Sequence, residues 1–254
     1  MFLSKLTINV RSREFRRDYV DIHQMHRTIM SAFPAVQDDR PARQAHGVLW
    51  RLEPTRRGFE LLVQSFTRPD WSTLAAGYLE CSAQIREIDH VLKVIQPGRK
   101  LAFRLVANPT RAVSPGINGQ HSKRFAHHRP EKQIEWLVRQ GERHGFVLPL
   151  AKDGQPDVAP SPCPTLRGRK VPSDKAPERQ QGPDEHESPH GQSASQQASQ
   201  QPHTIVIEPV RYDGHLVITD PEAFQRALLT GIGRAKAYGC GLLSLAPART
   251  VAVR

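Results

Sequence analysis

Two histidines stand three residues apart in the run DIHQMHRTIM, residues 21–30. An imidazole with an unperturbed pKa of ~6.5 takes or gives a proton near neutrality, so His23 and His26 are candidates for general acid–base chemistry. Arg27 follows directly, and a guanidinium matches phosphate oxygens and stays charged at every working pH. A second stretch, GIGRAKAYGCG at 231–241, places Gly231, Gly233, Gly239 and Gly241 around two cations, Arg234 and Lys236. Glycine is the costliest ordinary residue to order in a helix, so this density implies positive φ angles or close backbone approach, and the cations imply an anionic neighbour. Backbone amides there have room to approach phosphates.

The element that must position the histidines is a helix over Asp21 to Phe33. Asp21 with Gln24 three residues on resembles a capping box, and Ile22, Met25, Ile29 and Phe33 fall on one face at helical spacing. His26 lies one turn after Ile22, at the edge of that stripe, half packed and half available. His23 is its neighbour on the helix surface. On the residues alone, a histidine packed at a core edge is the simpler reading of His26, and a solvated helix face that of Arg27.

The chain carries 36 Lys+Arg against 25 Asp+Glu in 254 residues, a net charge of +11, which suits nucleic acid or an anionic membrane surface. The apolar runs are only a few residues long, far short of the ~20 a membrane helix needs, and MFLSKLTINVRSREF lacks the pattern of a signal peptide. A cytoplasmic protein with no membrane partner is expected. Cys81, Cys163 and Cys240 are far apart and form no CxxC pair, so neither a disulfide framework nor a cysteine zinc site is indicated. His121, His127 and His128 share a polar loop without a helical i, i+4 pair or an intervening carboxylate, so no metal site is expected there.

Residues from about 160 to 202 are dense in Pro, Gln, Ser and charge and read as a disordered insertion. The alternative kept beside it is that Arg167, Arg169 and Lys170, in LRGRK, form an RNA-contacting tip. On either side, strands and helices alternate. Strands are predicted at 2–10, 47–54, 59–66 and 90–95, with helices at 21–33 and 70–80 and a turn at Arg57-Gly58. The order recurs with a strand at 101–109, a helix at 130–145 and a strand at 146–150. After the insertion come a hairpin over 204–220 turning at Asp213-Gly214, a helix at 221–231 and a strand at 241–246. The fold class expected is α+β: two tandem ferredoxin-like (RRM-like) βαββαβ domains, 1–97 and 98–254, with the insertion in the second.

The segments FLSKL, HQMHRTIMSAFP, LWRLEP, QSFTRPDW, QPGRKLAFRLVANPTR, EWL and DGHLVITDPEAFQRALLTGIGRAKAYGCGLLSLAP, in this order, resemble the CasE family, the CRISPR repeat-processing endoribonucleases of type I-E systems. The resemblance covers nearly all of the chain except the insertion. It implies two ferredoxin-like domains that bind the CRISPR repeat hairpin and cut at the 3′ base of its stem. Attack by the ribose 2′-hydroxyl would leave a 2′,3′-cyclic phosphate and a 5′-hydroxyl, with no metal or small-molecule cofactor. It further implies that the protein keeps its product and joins other Cascade subunits.

By the same resemblance His26 is the catalytic histidine, and the glycine-rich loop faces the repeat RNA. Many members carry a tyrosine where this chain has His23, so His23 is assigned possible support, with Arg27 for the scissile phosphate. Spread cations that would meet an RNA duplex are Arg104, Arg111, Lys123, Arg124, Arg167, Arg169 and Lys170. A ferredoxin-like RNA-binding module without catalysis, or a structural subunit of a ribonucleoprotein, remains the alternative.

Overall fold

The computed structural model describes residues 1–37, 39–113, 123–170 and 203–248. In the first lobe, β1 (Phe2–Ile8) buries Ser4, Leu6 and Ile8 on one face, as strand alternation requires. Two helices follow, α1 (Arg13–Val20) and α2 (Ile22–Met30), then a single turn, α3 (Ala42–Ala45), and strands β2 (Leu49–Thr55), β3 (Gly58–Ser65) and β4 (Gln84–Glu87). The strands pair antiparallel in the order β2-β3-β1-β4, which is the ferredoxin-like order. Ile22, Met25 and Ile29 of α2 join Leu6, Ile8, Leu61 and Val63 in one core.

The second lobe runs β5 (Lys100–Ala107), β6 (Thr110–Val113), β7 (Lys123–Ala126), α4 (Pro130–Arg143), β8 (Phe146–Val147), β9 (Val158–Pro162), β10 (Leu166–Lys170), β11 (His203–Ile207), β12 (Val210–Ile218), α5 (Pro221–Thr230) and β13 (Leu243–Pro247). Its main sheet has the order β13-β5-β12-β8, the same topology again, with β9 added along β12. Asp220 starts α5 by accepting the amides of Glu222 and Ala223, Pro221 fits the first turn, and Gly231 at φ 80° ends it. Among the described residues no helix is long and apolar enough to cross a membrane.

Several local expectations are corrected. Residues 160–170 are not disordered: they complete β9 and form β10, which pairs with β11 from Leu166↔Ile207 to Lys170↔His203. The polar average of the tract hides an anchor, Leu166, which packs on the core of the first lobe, as does Ile205 of the partner strand β11. Residues 171–202 lie outside the described residues. The stretch 70–80 is a three-residue 3-10 turn, Trp71–Thr73, because buried Trp71 donates to Ser4 Oγ at 3.0 Å and buried Tyr78 reaches Asp18, which pulls the chain out of helical register. In place of a strand at 90–95 there is a 3-10 helix, Asp89–Val94, and the closing strand is β4; Val91 and Leu92 pack on the second core instead of entering the sheet.

Asp213-Gly214 is not a turn but the middle of β12. Gly214 lets the neighbouring chain close in, since a Cβ there would meet the carbonyl of Asp157. Nor do residues 204–220 form a hairpin: β11 pairs with β10 and β12 with β5, β8 and β9, and Glu208-Pro209 separates the two strands, with proline removing a ladder donor. The β2–β3 turn is Arg56-Arg57, between the paired Thr55 and Gly58. The helix expected over 21–33 spans only 22–30 and has α1 before it.

The lobes are joined by polar contacts from β2 and β3. Trp50 Nε1 donates to the carbonyl of Ala237 at 3.1 Å, and Gln64 Nε2 to that of Leu228 at 2.9 Å. Arg51 is 3% exposed, and its guanidinium meets Glu53 at 2.7 Å, the Leu242 carbonyl at 3.0 Å and Ser244 Oγ at 2.9 Å. A buried cation is tolerated only when paired and fully hydrogen-bonded, so Arg51 fixes how the two sheets meet.

Candidate functional site

Asp21 is where the site is assembled. Its Oδ1 accepts the amide of His23 at 2.9 Å, which starts α2, and the amide of Arg169 at 3.3 Å, which ties β10 to the same helix end. The expected reciprocal box with Gln24 is replaced by this three-way joint. Gly168 fits against it so closely that a Cβ would lie 2.7 Å from Asp21 Oδ1 and 3.1 Å from the amide nitrogen of His23.

His23 and His26 leave this helix on one side, ring centroids 6.4 Å apart. The third ring around them is Tyr238 from the glycine-rich stretch, 6.3 Å from His23 and 6.1 Å from His26. Among the described residues neither histidine Nδ1 has a hydrogen-bond partner, although both atoms are buried. An unpaired buried polar atom costs about 1–3 kcal/mol, so this is an unusual arrangement to retain. Burial lowers the pKa of His26 to about 4, helped by His23 and Arg43. Burial also lowers that of His23, with Arg27 and Lys170 adding to the effect and Asp21 opposing it. Both imidazoles are therefore neutral near pH ~7, the form that accepts a proton.

The glycine-rich loop leaves α5 and crosses toward α2. All four glycines have positive φ: Gly231 80°, Gly233 80°, Gly239 79° and Gly241 96°. Added Cβ atoms would meet Leu49 at 2.7 Å, Trp136 at 3.1 Å, Trp50 at 3.0 Å and the Ile232 carbonyl at 3.0 Å, respectively. Glycine is required here for contact with the protein's own side chains and backbone. The amides of Gly231 and Gly241 are held by the carbonyls of Ala227 and Val106 at 2.8 and 2.7 Å, which corrects the reading that they face phosphates. Ala235, at φ 60°, is the one non-glycine residue with positive φ among those described, and it opens the turn Lys236–Tyr238 whose last residue lies beside the histidines.

Arg234 is exposed, whereas Lys236 is partly buried, and burial followed by Arg43 lowers its pKa. Arg43, half-buried, donates to the Val48 carbonyl at 3.1 Å and brings positive charge to His26 and Lys236. Arg167, Arg169 and Lys170 are exposed on β10, at the His23 end of α2. Arg27 is exposed in a shallow groove with Glu14, Arg17, Gln24 and Thr28. Arg111 and Arg124 project from the β6–β7 pair. Arg104 is instead engaged by Asp213 at 2.5 Å and Glu53 at 3.1 Å, inside the joint between the lobes.

His128 pairs with Glu208 at 3.2 Å, and His121 lies outside the described residues. Among the described residues no three His, Cys, Asp or Glu side chains gather in a group that could hold a metal ion. Sequence reasoning missed Tyr238, Arg43 and the second role of Asp21. Tyr238 lies inside the glycine-rich run, but nothing local links it to residue 26. Arg43 carries no sequence signal beyond its charge.

This geometry has counterparts. Residues 1–247 match the family described as CRISPR associated protein. The CRISPR-associated endoribonuclease Cse3 of Thermus thermophilus is 33% identical over 250 residues, covering 97% of this chain and 100% of that protein. The CRISPR system Cascade subunit CasE of Escherichia coli is 29% identical, with 97% and 100% covered. A structure of CRISPR endoribonuclease Cse3 bound to 19 nt RNA superposes with a TM-score of 0.71 at 31% identity, covering 97% of this chain and 100% of that one. With the doubled ferredoxin-like topology in place and the match running through both lobes, the chain belongs to the CRISPR associated protein family.

Proposed function

We propose that this protein is an endoribonuclease that binds the hairpin of CRISPR repeat RNA, cuts at the 3′ base of the stem without a metal ion, and stays on the product as a Cascade subunit. The observation that carries the reading is the pair His23–His26, neutral, unpaired at Nδ1 among the described residues and bordered by the cations Arg43 and Lys170. The 33% identity to an endoribonuclease along its whole length supports the substrate class.

Cleavage by internal attack needs a base for the 2′-hydroxyl proton, charge to hold the phosphate, and a proton for the leaving 5′-oxygen. Neutral His26 takes the 2′-hydroxyl proton, and Arg43 and Arg27 supply positive charge for the phosphate. The 2′-oxygen attacks phosphorus and the bond to the 5′-oxygen breaks, leaving a 2′,3′-cyclic phosphate and a 5′-hydroxyl. The stem is held by exposed cations, with Arg167, Arg169 and Lys170 near the site, Arg111 and Arg124 further out, and Arg234 on the loop. Duplex RNA is recognised largely through shape, phosphates and 2′-hydroxyls, which suits such a scattered set.

The test is incubation of the purified protein with its cognate repeat RNA in excess EDTA, with the product ends identified. Cleavage giving a cyclic phosphate is expected, and none from RNA carrying a 2′-deoxy nucleotide 5′ of the cut. His26→Ala should bind the hairpin normally and cleave ~100- to 10,000-fold more slowly. Wild-type cleavage by His26→Ala, or dependence on an added divalent ion, would contradict this reading.

A further inference from the structure

We infer that Tyr238, supplied by the second lobe, is a catalytic residue of the His26 site and hands its hydroxyl proton to the 5′-oxygen that leaves. The inference rests on the cleavage reading above, and its ground is the placement of the ring. Tyr238 lies 6.1 Å from His26 in an edge-on arrangement and 6.3 Å from His23, so the three rings form one cluster. The chain strains to put it there: Ala235 adopts a left-handed conformation immediately before the turn, and Gly239 immediately after it is pressed against Trp50. A non-glycine residue held in that conformation costs about 1–3 kcal/mol and persists only where the surroundings enforce it.

The hydroxyl is unlike those of the two fully buried tyrosines. Tyr78 donates to Asp18 at 3.0 Å and Tyr212 to the Gln133 carbonyl at 3.2 Å. Among the described residues the Tyr238 hydroxyl has no such partner, and the influences on it are burial and the charge of Asp21. Both raise its pKa, so the phenol keeps its proton at neutral pH, whereas burial leaves His23 and His26 without theirs. The histidines accept and the tyrosine donates. Lys236 is the other nearby proton carrier, but its stem folds over Gly241 and its charge acts on His144. The charges that act on His26 are those of His23 and Arg43.

The step balances. The 2′-oxygen forms its bond to phosphorus while its proton passes to His26. The bond from phosphorus to the 5′-oxygen breaks, the electron pair stays on that oxygen, and the oxygen takes the Tyr238 proton. The imidazolium and phenolate that result return to their starting forms by net transfer of one proton through water. A phenol is a far stronger acid than the sugar alcohol it protonates, so the transfer is downhill.

The test compares wild type, Tyr238→Phe and His26→Ala in single turnover at saturating repeat hairpin. One RNA carries the natural linkage and a second carries sulfur in place of the bridging 5′-oxygen. A thiolate leaves without protonation. Tyr238→Phe should bind both hairpins like wild type, cleave the oxygen linkage about 100-fold more slowly and recover to near wild-type rate on the sulfur linkage. His26→Ala should be slow on both. A wild-type rate for Tyr238→Phe on the natural RNA, or equal slowing on both linkages, would overturn the assignment. If instead His26→Ala cuts both RNAs at the wild-type rate, it is the reading of the site itself that fails.

Discussion

The indole nitrogen of Trp50 donates to the backbone carbonyl of Ala237 at 3.1 Å, across a sequence separation of 187 residues. This bond ties β2 of the first lobe to the residue before Tyr238, and Gly239 packs on the same indole. Replacing the indole by phenylalanine keeps most of the apolar surface and removes the donor. Trp50→Phe should lower unfolding free energy by about 0.5–1.5 kcal/mol, read by urea denaturation, and should slow cleavage more than it weakens hairpin binding. Equal loss in binding and cleavage would show that the bond serves the RNA surface as a whole and not the ring cluster.

The pH response of His26 follows from its environment. Its folded pKa, about 4, lies below the ordinary value because burial disfavours the cation. The unfolded chain therefore binds the proton more tightly, and the group's contribution to stability is complete above ~6.5 and lost as pH falls toward the folded value. Thermal unfolding followed between pH 7 and pH 4 should show falling stability, and His26→Gln should flatten that slope. The acid limb of kcat/KM should fall well below the ~6.5 of an ordinary histidine. A limb centred on the ordinary value would mean that His26 is not the group taking the proton.

Arg234 and Lys236 differ in exposure, and binding experiments should separate them. A cation that meets a phosphate releases counterions into solution, so Arg234→Ala should weaken hairpin binding and reduce the slope of log K against log salt by roughly one. Lys236 is partly buried beside Arg43. Lys236→Ala should change that slope less. Identical salt slopes for wild type and both variants would remove the loop from the RNA surface.

Lys170 and His203 face each other in the β10–β11 register, so residues 171–202 connect two adjacent ends. A two-residue Asn-Gly turn satisfies such a connection. Replacing 171–202 by that turn should leave melting temperature and cleavage close to wild type. Gly168→Val should do the opposite, because its side chain would collide with Asp21 Oδ1 and the first turn of α2. If the shortened protein fails to fold, residues 171–202 contribute to the lobe and not merely to its connectivity.

The sequence by itself determined whatever depends on neighbours a few residues away. The buried stripe Ile22, Met25, Ile29 and Phe33, with His26 at its edge, was legible because helical periodicity is a local property. The doubled strand-helix order and the positive φ of the glycine-rich loop were legible for the same reason. Tertiary structure alone decided the rest. Trp71 and Tyr78 are drawn out of a helix by partners on β1 and α1, and Asp213-Gly214 is held straight between β5 and β9. Leu166 and Ile205 order the edges of a polar tract by reaching the core of the other lobe. The meeting of His26 with Tyr238 and Arg43 belongs to this second kind, because bonds such as those of Trp50 and Arg51 join segments roughly the length of a domain apart in the chain. No pattern within either segment encodes that distance; it exists only once both sheets have formed and docked.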